Sequence, residues 1–95
     1  MEASANIPHE YKESELFDAQ ANDLGLTPGV RDDILGDCLF VIARIPTEFH
    51  CVKGTNLYRA MFKLPNRDNV RIWYQFDGNL ITLRAIEKVI ENEAE

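Results

Sequence analysis

The chain has 95 residues, of which 45% are hydrophobic and 27% are charged, and its formal net charge is −6. This length suffices for one domain with a single core, and the balance of apolar and charged residues excludes an intrinsically disordered chain. The longest apolar run, Cys38 to Ala43, is far shorter than the roughly 18 residues that a membrane-spanning helix needs. We therefore expect a single domain over residues 1–95 with no membrane span.

We expect a cytoplasmic protein without a metal or cofactor. Residues 1–7 lack the basic and apolar regions of a signal peptide. The chain has 2 cysteines, too few for a disulfide scaffold. Glu48, His50 and Cys51 are metal-binding types, but no second spaced pair accompanies them, and no glycine-rich phosphate motif is present.

Two helices are predicted in the first half of the chain. Ser14 as N-cap and Gly25 as terminator delimit a first helix over about residues 15–24. The Thr27-Pro28 pair begins a second helix, which Pro46 ends. Residues at helical spacing form its predicted apolar stripe: Val30, Ile34, Cys38, Val41, Ile42 and Ile45, widened by Leu35 and Leu39.

The second half alternates with a period of two, which is typical of strands. The predicted strands span residues 57–64, 70–76 and 80–86. Asp77-Gly78 predicts a type I′ hairpin turn. The fold class is therefore α+β, with two N-terminal helices on one face of a three- to four-stranded antiparallel sheet.

The two terminal segments are less regular. Residues 1–13 are expected to be loosely ordered, although residues 9–13 are the one candidate for a fourth strand. Residues 87–95 form either an acidic C-terminal tail or a short helix.

Charge is distributed unevenly along the chain. Residues 1–50 carry a net charge of −7, whereas residues 51–86 hold six bases against two acids. The strand alternation predicts that several of these bases share the sheet face turned away from the helices, with aromatic and hydrogen-bonding residues between them: Arg59, Lys63, Arg71, Trp73, Gln75, Thr82 and Arg84. Cations around an aromatic ring suit a phosphate backbone and a stacked base, so these residues are candidates for anion or RNA binding. The alternative is an ordinary solvated sheet face whose arginines stack on Trp73 or pair with carboxylates.

Phe40 is a separate candidate. It lies on the polar side of the second helix with Asp37 and Arg44, where an exposed aromatic ring would mark a protein contact or a homodimer interface. The alternative is that the apolar face is simply wide, or that a C-terminal helix covers the ring.

The segment Leu57-Tyr58-Arg59 followed by Asn69 to Arg84 resembles the sheet of the RelE/ParE toxin superfamily. That family repeats a Tyr-Arg strand, a strand of Arg-Val/Ile-x-Tyr type, an acidic turn and an apolar strand. In the family, two helices and a glycine-containing loop precede the Tyr-Arg strand. This chain has two predicted helices and Gly54 in the same order, so the resemblance covers about residues 14–88. Members usually open with a strand that joins the sheet, a position that only residues 9–13 can fill.

The resemblance implies a toxin-antitoxin protein that contacts RNA or another macromolecule. RelE-type members cut ribosome-bound mRNA, ParE-type members act on gyrase, and such toxins are usually paired with an antitoxin. The resemblance matches Arg59 and Arg71 to basic sheet residues of the family. The RNases usually carry a basic or His/Tyr-containing C-terminal segment, whereas this chain ends in acids, so enzymatic activity is left open. The alternative is a non-catalytic interaction domain or homodimer.

Candidate groups for metal-free RNA cleavage are few. Arg59, Arg71 and Arg84 would supply positive charge, and Lys63 or Lys88 an acid or base. No histidine lies in the predicted sheet. We interpret His50 as a loop histidine without a catalytic role, with the alternative that it reaches the edge of the first predicted strand.

Overall fold

The first helix begins where the sequence predicts. In the computed structural model, which describes residues 8–89, Ser14 is the N-cap of α1 (Glu15–Asp23), and its hydroxyl accepts a hydrogen bond from the Phe17 amide at 3.1 Å. Gly25 follows the C-cap residue Leu24 with φ of 82°, a conformation that glycine adopts without strain. The predicted boundaries of this helix are correct to within one residue.

The second helix, α2 (Pro28–Arg44), has the predicted ends but a rotated buried face. Thr27 is its N-cap and Pro28 its first residue. Leu35, Cys38, Leu39 and Ile42 are buried as predicted, whereas Val30 and Ile45 are exposed. The buried position one turn before Leu35 is occupied by Arg31, which is only 4% exposed. A prediction from the spacing of apolar residues misses this position because arginine is charged.

Within residues 8–89, five strands complete the fold. They are β1 (Glu10–Glu13), β2 (His50–Cys51), β3 (Leu57–Phe62), β4 (Asn69–Phe76) and β5 (Leu80–Val89). They form one sheet in the order β1-β5-β4-β3-β2, in which β1 pairs with β5 in parallel and all other neighbours are antiparallel.

The α+β class is confirmed, but the prediction of a three- to four-stranded antiparallel sheet is wrong. Glu10–Glu13 lies in the segment expected to be loosely ordered and is a strand, as the alternative for residues 9–13 predicted. Its four residues are all exposed, so they show no apolar alternation. β2 has only two residues. Glu87, expected in a tail or short helix, lies within β5, which runs to Val89. Residues 1–7 and 90–95 lie outside the described part of the chain.

One core joins the helices to the sheet. The buried side chains of α1 and α2 form a single cluster with those on one sheet face, including Ala60, Ile72, Tyr74, Leu83 and Ile86. Tyr74 is fully buried, its hydroxyl donates to the Pro46 carbonyl at 2.7 Å, and burial raises its pKa. Within residues 8–89, no helix is long and apolar enough to cross a membrane.

A β-bulge interrupts the pairing of β4 with β5. Tyr74 pairs with Leu83, but Trp73 pairs with Ala85, so Arg84 is an additional residue on β5. The predicted alternation placed Arg84 on the sheet face turned away from the helices, which would place Ile86 there too. This alternation is therefore wrong beyond Arg84. Ile86 is buried in the core, and Ala85 lies across from Trp73.

The Asp77 turn also differs from the prediction. Gly78 has φ of 100°, but no positive φ occurs at Asp77, so the connection is not type I′. Instead the Asp77 carboxylate accepts the amides of Asn79 and Leu80 at 2.8 and 2.9 Å. These bonds lower the pKa of Asp77.

The buried Arg31 connects three parts of the chain. Its Nη1 donates to Glu13 of β1 at 2.6 Å and to Asp18 of α1 at 2.9 Å. Its Nη2 donates to the Asn22 side chain, and its Nε donates to the Leu26 carbonyl, both at 3.0 Å. This guanidinium therefore fixes α2 against α1 and the edge strand.

Replacing Arg31 with methionine should lower the free energy of unfolding by about 2–3 kcal/mol. A fully buried ion pair that loses one partner costs roughly 3–5 kcal/mol, and the effect is smaller here because the Glu13 and Asp18 side chains are 29% and 49% exposed. Urea unfolding followed by circular dichroism measures the difference. Arg67→Met, at an exposed turn position, is the matched control and should change stability by less than about 0.5 kcal/mol. Equal midpoints for the two variants would contradict the role assigned to Arg31.

Candidate nucleic-acid interface

The outer face is the sheet face turned away from the core, and strand register fixes its composition. Residues directly opposite each other on neighbouring antiparallel strands share a face. One row across the sheet runs from His50 of β2 to Arg59 of β3, Trp73 of β4 and Ala85 of β5. The neighbouring row runs from Met61 to Arg71 and Glu87. The outer face thus carries an imidazole, two guanidinium groups, an indole and a carboxylate within two adjacent rows.

An open depression lies at the β2 end of these rows. It has a volume of about 270 Å³ and is lined by His50, Arg59, Met61 and Arg71. The interpretation of His50 as a loop histidine is wrong, since it is paired in the sheet directly beside Arg59. A two-residue strand has too few positions for alternation to reveal it, and only the register with β3 shows what His50 faces.

Trp73 lies beside the depression. Its ring contacts Arg59, and its indole N–H donates to Glu87, the partner of Arg71. The Arg59 guanidinium carbon lies 5.9 Å from the centre of the Trp73 ring, within the range of a cation–π contact. Among residues 8–89, no carboxylate forms an ion pair with Arg59. Within this described part of the chain, the positive charge of Arg59 is thus not neutralised by a carboxylate.

Arg71, by contrast, already has an anionic partner. Oε2 of Glu87 accepts hydrogen bonds from Arg71 Nη1 at 2.8 Å and from Trp73 Nε1 at 2.9 Å. The Trp73 and Arg71 hydrogen bonds together lower the pKa of Glu87. The sequence did not identify Glu87 as a site residue because it was assigned to the tail.

The other predicted site residues are not brought together with these. Gln75 donates to the Asn56 side chain at 3.2 Å, near the opposite end of β4. Lys63 follows the end of β3 and is exposed, and it does not line the depression. Arg84 is the exposed bulge residue, and its carbonyl accepts the Ser14 hydroxyl.

Lys88, a candidate acid or base, lies elsewhere. Its Nζ lies 3.8 Å from Asp68, and it lines a second cavity of about 150 Å³ together with apolar residues such as Leu24 and Leu26. That cavity lies on the helix side of the sheet, so Lys88 faces away from the depression. Within residues 8–89, no group of three or more His, Cys, Asp or Glu side chains is arranged to hold a metal ion.

Phe40 is exposed, as its predicted role in a protein contact requires. The residue is 53% exposed, and the Arg44 guanidinium carbon lies 4.8 Å from the centre of its ring. The described C-terminal residues form β5, so no helix within residues 8–89 covers this ring.

Comparisons with known proteins do not assign this chain to a family. No protein-family model, curated protein or solved structure matches the chain. The function is therefore inferred from the geometry of the outer face.

The fluorescence of Trp73 should report the ionisation of Glu87, because Trp73 is the one tryptophan of the chain. The depressed pKa keeps the carboxylate ionised at pH values at which an ordinary glutamate, with a pKa of 4.5, is half protonated. Its contribution to stability is thus fully present above pH 4.5 and is lost as the pH falls through the lower, folded-state value. We expect a change in Trp73 emission with a midpoint below pH 4.5.

Glu87→Gln is the control for this titration and should lack the transition. Circular dichroism at each pH distinguishes the protonation of Glu87 from unfolding of the protein. A midpoint at or above pH 4.5 would show that the contacts to Trp73 and Arg71 do not stabilise the charged carboxylate.

Proposed function

We propose that this chain is a RelE/ParE-like protein of a toxin-antitoxin type and that its outer face binds single-stranded RNA. One observation carries the proposal: His50, Arg59 and Arg71 line one depression, and Trp73 lies beside it. A guanidinium group can donate two parallel hydrogen bonds to the oxygens of one phosphate, and an indole ring stacks on any base. The arrangement therefore suits a short stretch of nucleic-acid backbone with one base on Trp73.

The acidic net charge does not oppose this local binding. The acids of residues 1–50 lie largely in β1 and the helices, and the core separates α1 and α2 from the outer face. At physiological ionic strength, charges more than about 8 Å apart in solvent are largely screened. Within the two rows of the outer face, the charges that act on a bound phosphate are therefore those of Arg59, Arg71 and Glu87, two positive and one negative.

Two features support the RelE/ParE relationship. The strand β1 fills the position of the opening strand that members of this family usually have. Arg59 and Arg71, the residues that the resemblance matches to basic sheet positions, both line the depression. An antitoxin is then the expected protein partner.

The chemistry of the depression favours binding over cleavage. Metal-free cleavage of RNA needs a base for the 2′-hydroxyl, an acid for the leaving oxygen and positive charge for the phosphate. The four lining residues supply positive charge and a single proton-transfer group, His50. We accordingly assign RNA binding, not hydrolysis, as the activity of this face.

RNA binding by this face should depend on Arg59 and on salt. Arg59→Ala should weaken the binding of a fluorescein-labelled oligouridylate about tenfold, which corresponds to about 1.4 kcal/mol. It should also reduce the slope of log K against log salt by about 0.7, the value for one contact to a single strand. Fluorescence anisotropy between about 50 and 200 mM salt measures both.

The matched control is Arg67→Ala, which removes an equal charge from the helix side of the sheet. It should leave affinity and slope almost unchanged. Equal losses for the two variants would indicate non-specific attraction rather than a site on the outer face.

Induced expression in bacteria should arrest growth if the protein acts as a toxin. Arg59→Ala/Arg71→Ala should grow normally at an equal level of folded protein, because both cations of the depression are removed. Growth curves and incorporation of a labelled amino acid measure the effect. Arrest by both proteins would place the toxic activity away from the outer face.

The second candidate function is a non-catalytic interaction domain or homodimer, favoured by the exposed Phe40 ring. Absence of both RNA binding and arrest, together with a dimer that Phe40→Ser dissociates in analytical ultracentrifugation, would favour this alternative.

A further inference from the structure

One oxygen of Glu87 occupies the position between two hydrogen-bond donors of the outer face. Oε2 lies 2.8 Å from Arg71 Nη1 and 2.9 Å from Trp73 Nε1. Both donors belong to β4, and the acceptor belongs to β5, directly opposite Arg71 in the register. The pairing of the two strands therefore presents this carboxylate to the interface.

A carboxylate oxygen and a phosphate oxygen are chemically alike at such a position. Both are charged acceptors without a proton to donate, and both form short bonds to guanidinium groups. Arg71 lines the depression, so the position filled by Oε2 adjoins the place where the proposed RNA site would hold a phosphate. An incoming phosphate and Glu87 thus compete for the same two donors.

The Glu87 side chain is free to be displaced. It is 45% exposed, and the Arg71 side chain is 29% exposed, so the pair is partly solvated. Exposed ion pairs of this type are weak because water screens them. A phosphodiester of RNA carries the same single negative charge as the carboxylate and can therefore exchange with Glu87, which then turns into solvent.

We propose that Glu87 is a built-in competitor for phosphate, which sets the affinity of the outer face for RNA. This inference rests on the proposed RNA-binding function. In the free protein, Glu87 holds Arg71 and the Trp73 indole; when RNA binds, a phosphate oxygen takes its place. Glu87 is then a determinant of affinity, although it makes no favourable contact with RNA.

The test removes the charge of Glu87 and keeps its size. Glu87→Gln should bind the labelled oligouridylate about three- to tenfold more tightly than the parent at low salt. Its log K against log salt should be steeper by up to about 0.7, since in the parent the displaced Glu87 regains a counterion and offsets the one released by the phosphate at Arg71. Asp33→Asn removes an equal charge from an exposed position of α2 and should change the affinity by less than about twofold.

A double-mutant cycle localises the effect. In an Arg71→Ala background, Glu87→Gln should give much less than its full gain, because the cation that it releases is absent. Additive effects of the two substitutions would indicate general repulsion of RNA by Glu87 and would overturn the competition.

A second readout uses the unmodified protein. Inorganic phosphate should change Trp73 emission as it displaces Oε2 from the indole N–H, and Glu87→Gln should reach half-saturation at a severalfold lower phosphate concentration. Glu87→Ala should behave likewise, which keeps the test valid if the glutamine variant folds poorly.

The outcomes separate the two proposals. Binding of RNA by the parent, with equal or weaker binding by both Glu87 variants, would overturn the competition and leave RNA binding intact; Glu87 would then be a positioning residue for Arg71. No binding of RNA or phosphate by any variant would reject the proposed function, and the inference with it.

Discussion

The fold depends most on the buried guanidinium of Arg31. A buried charge is costly unless all its donors are satisfied, and here three nitrogens donate to Glu13, Asp18, Asn22 and the Leu26 carbonyl. These partners come from β1, from α1 and from the connection between the helices. One side chain thus orders the edge strand and both helices against each other, in a region where β1 offers no buried residue of its own. The mixed sheet follows from this, because β1 is held beside β5.

The outer face is organised by a second, weaker set of charges. Arg59 makes a cation–π contact with Trp73 and has no carboxylate partner within residues 8–89, whereas Arg71 is held by Glu87. The two arginines line the same depression but differ in what they offer to a ligand. Trp73 connects them, because its ring contacts one cation and its N–H binds the carboxylate that holds the other. A ligand that approaches either arginine therefore affects Trp73.

Local signals in the sequence predicted much of this structure. Caps and prolines located both helices, and period-two alternation located β3, β4 and most of β5. What escaped prediction depends on contacts distant in sequence. Arg31 is buried only because carboxylates from β1 and α1 surround it, and His50 joins the site only through its register with Arg59. Arg59, Arg71 and Trp73 were identified from alternation alone, whereas Glu87 required the register of β5 with β4.

The bulge at Arg84 has a consequence for how this chain tolerates changes in length. Strict alternation from Leu83 would bury Glu87 and expose Ile86, and the additional residue reverses this order. Loss of Arg84 would leave a regular strand in which Ile86 still faces the core, so the packing can survive a deletion there. Loss of one residue beyond the bulge, with the bulge itself retained, would exchange inward and outward side chains from that point to the end of the strand. If related proteins that keep this interface differ in the length of this strand, the difference should therefore fall at the bulge and not beyond it.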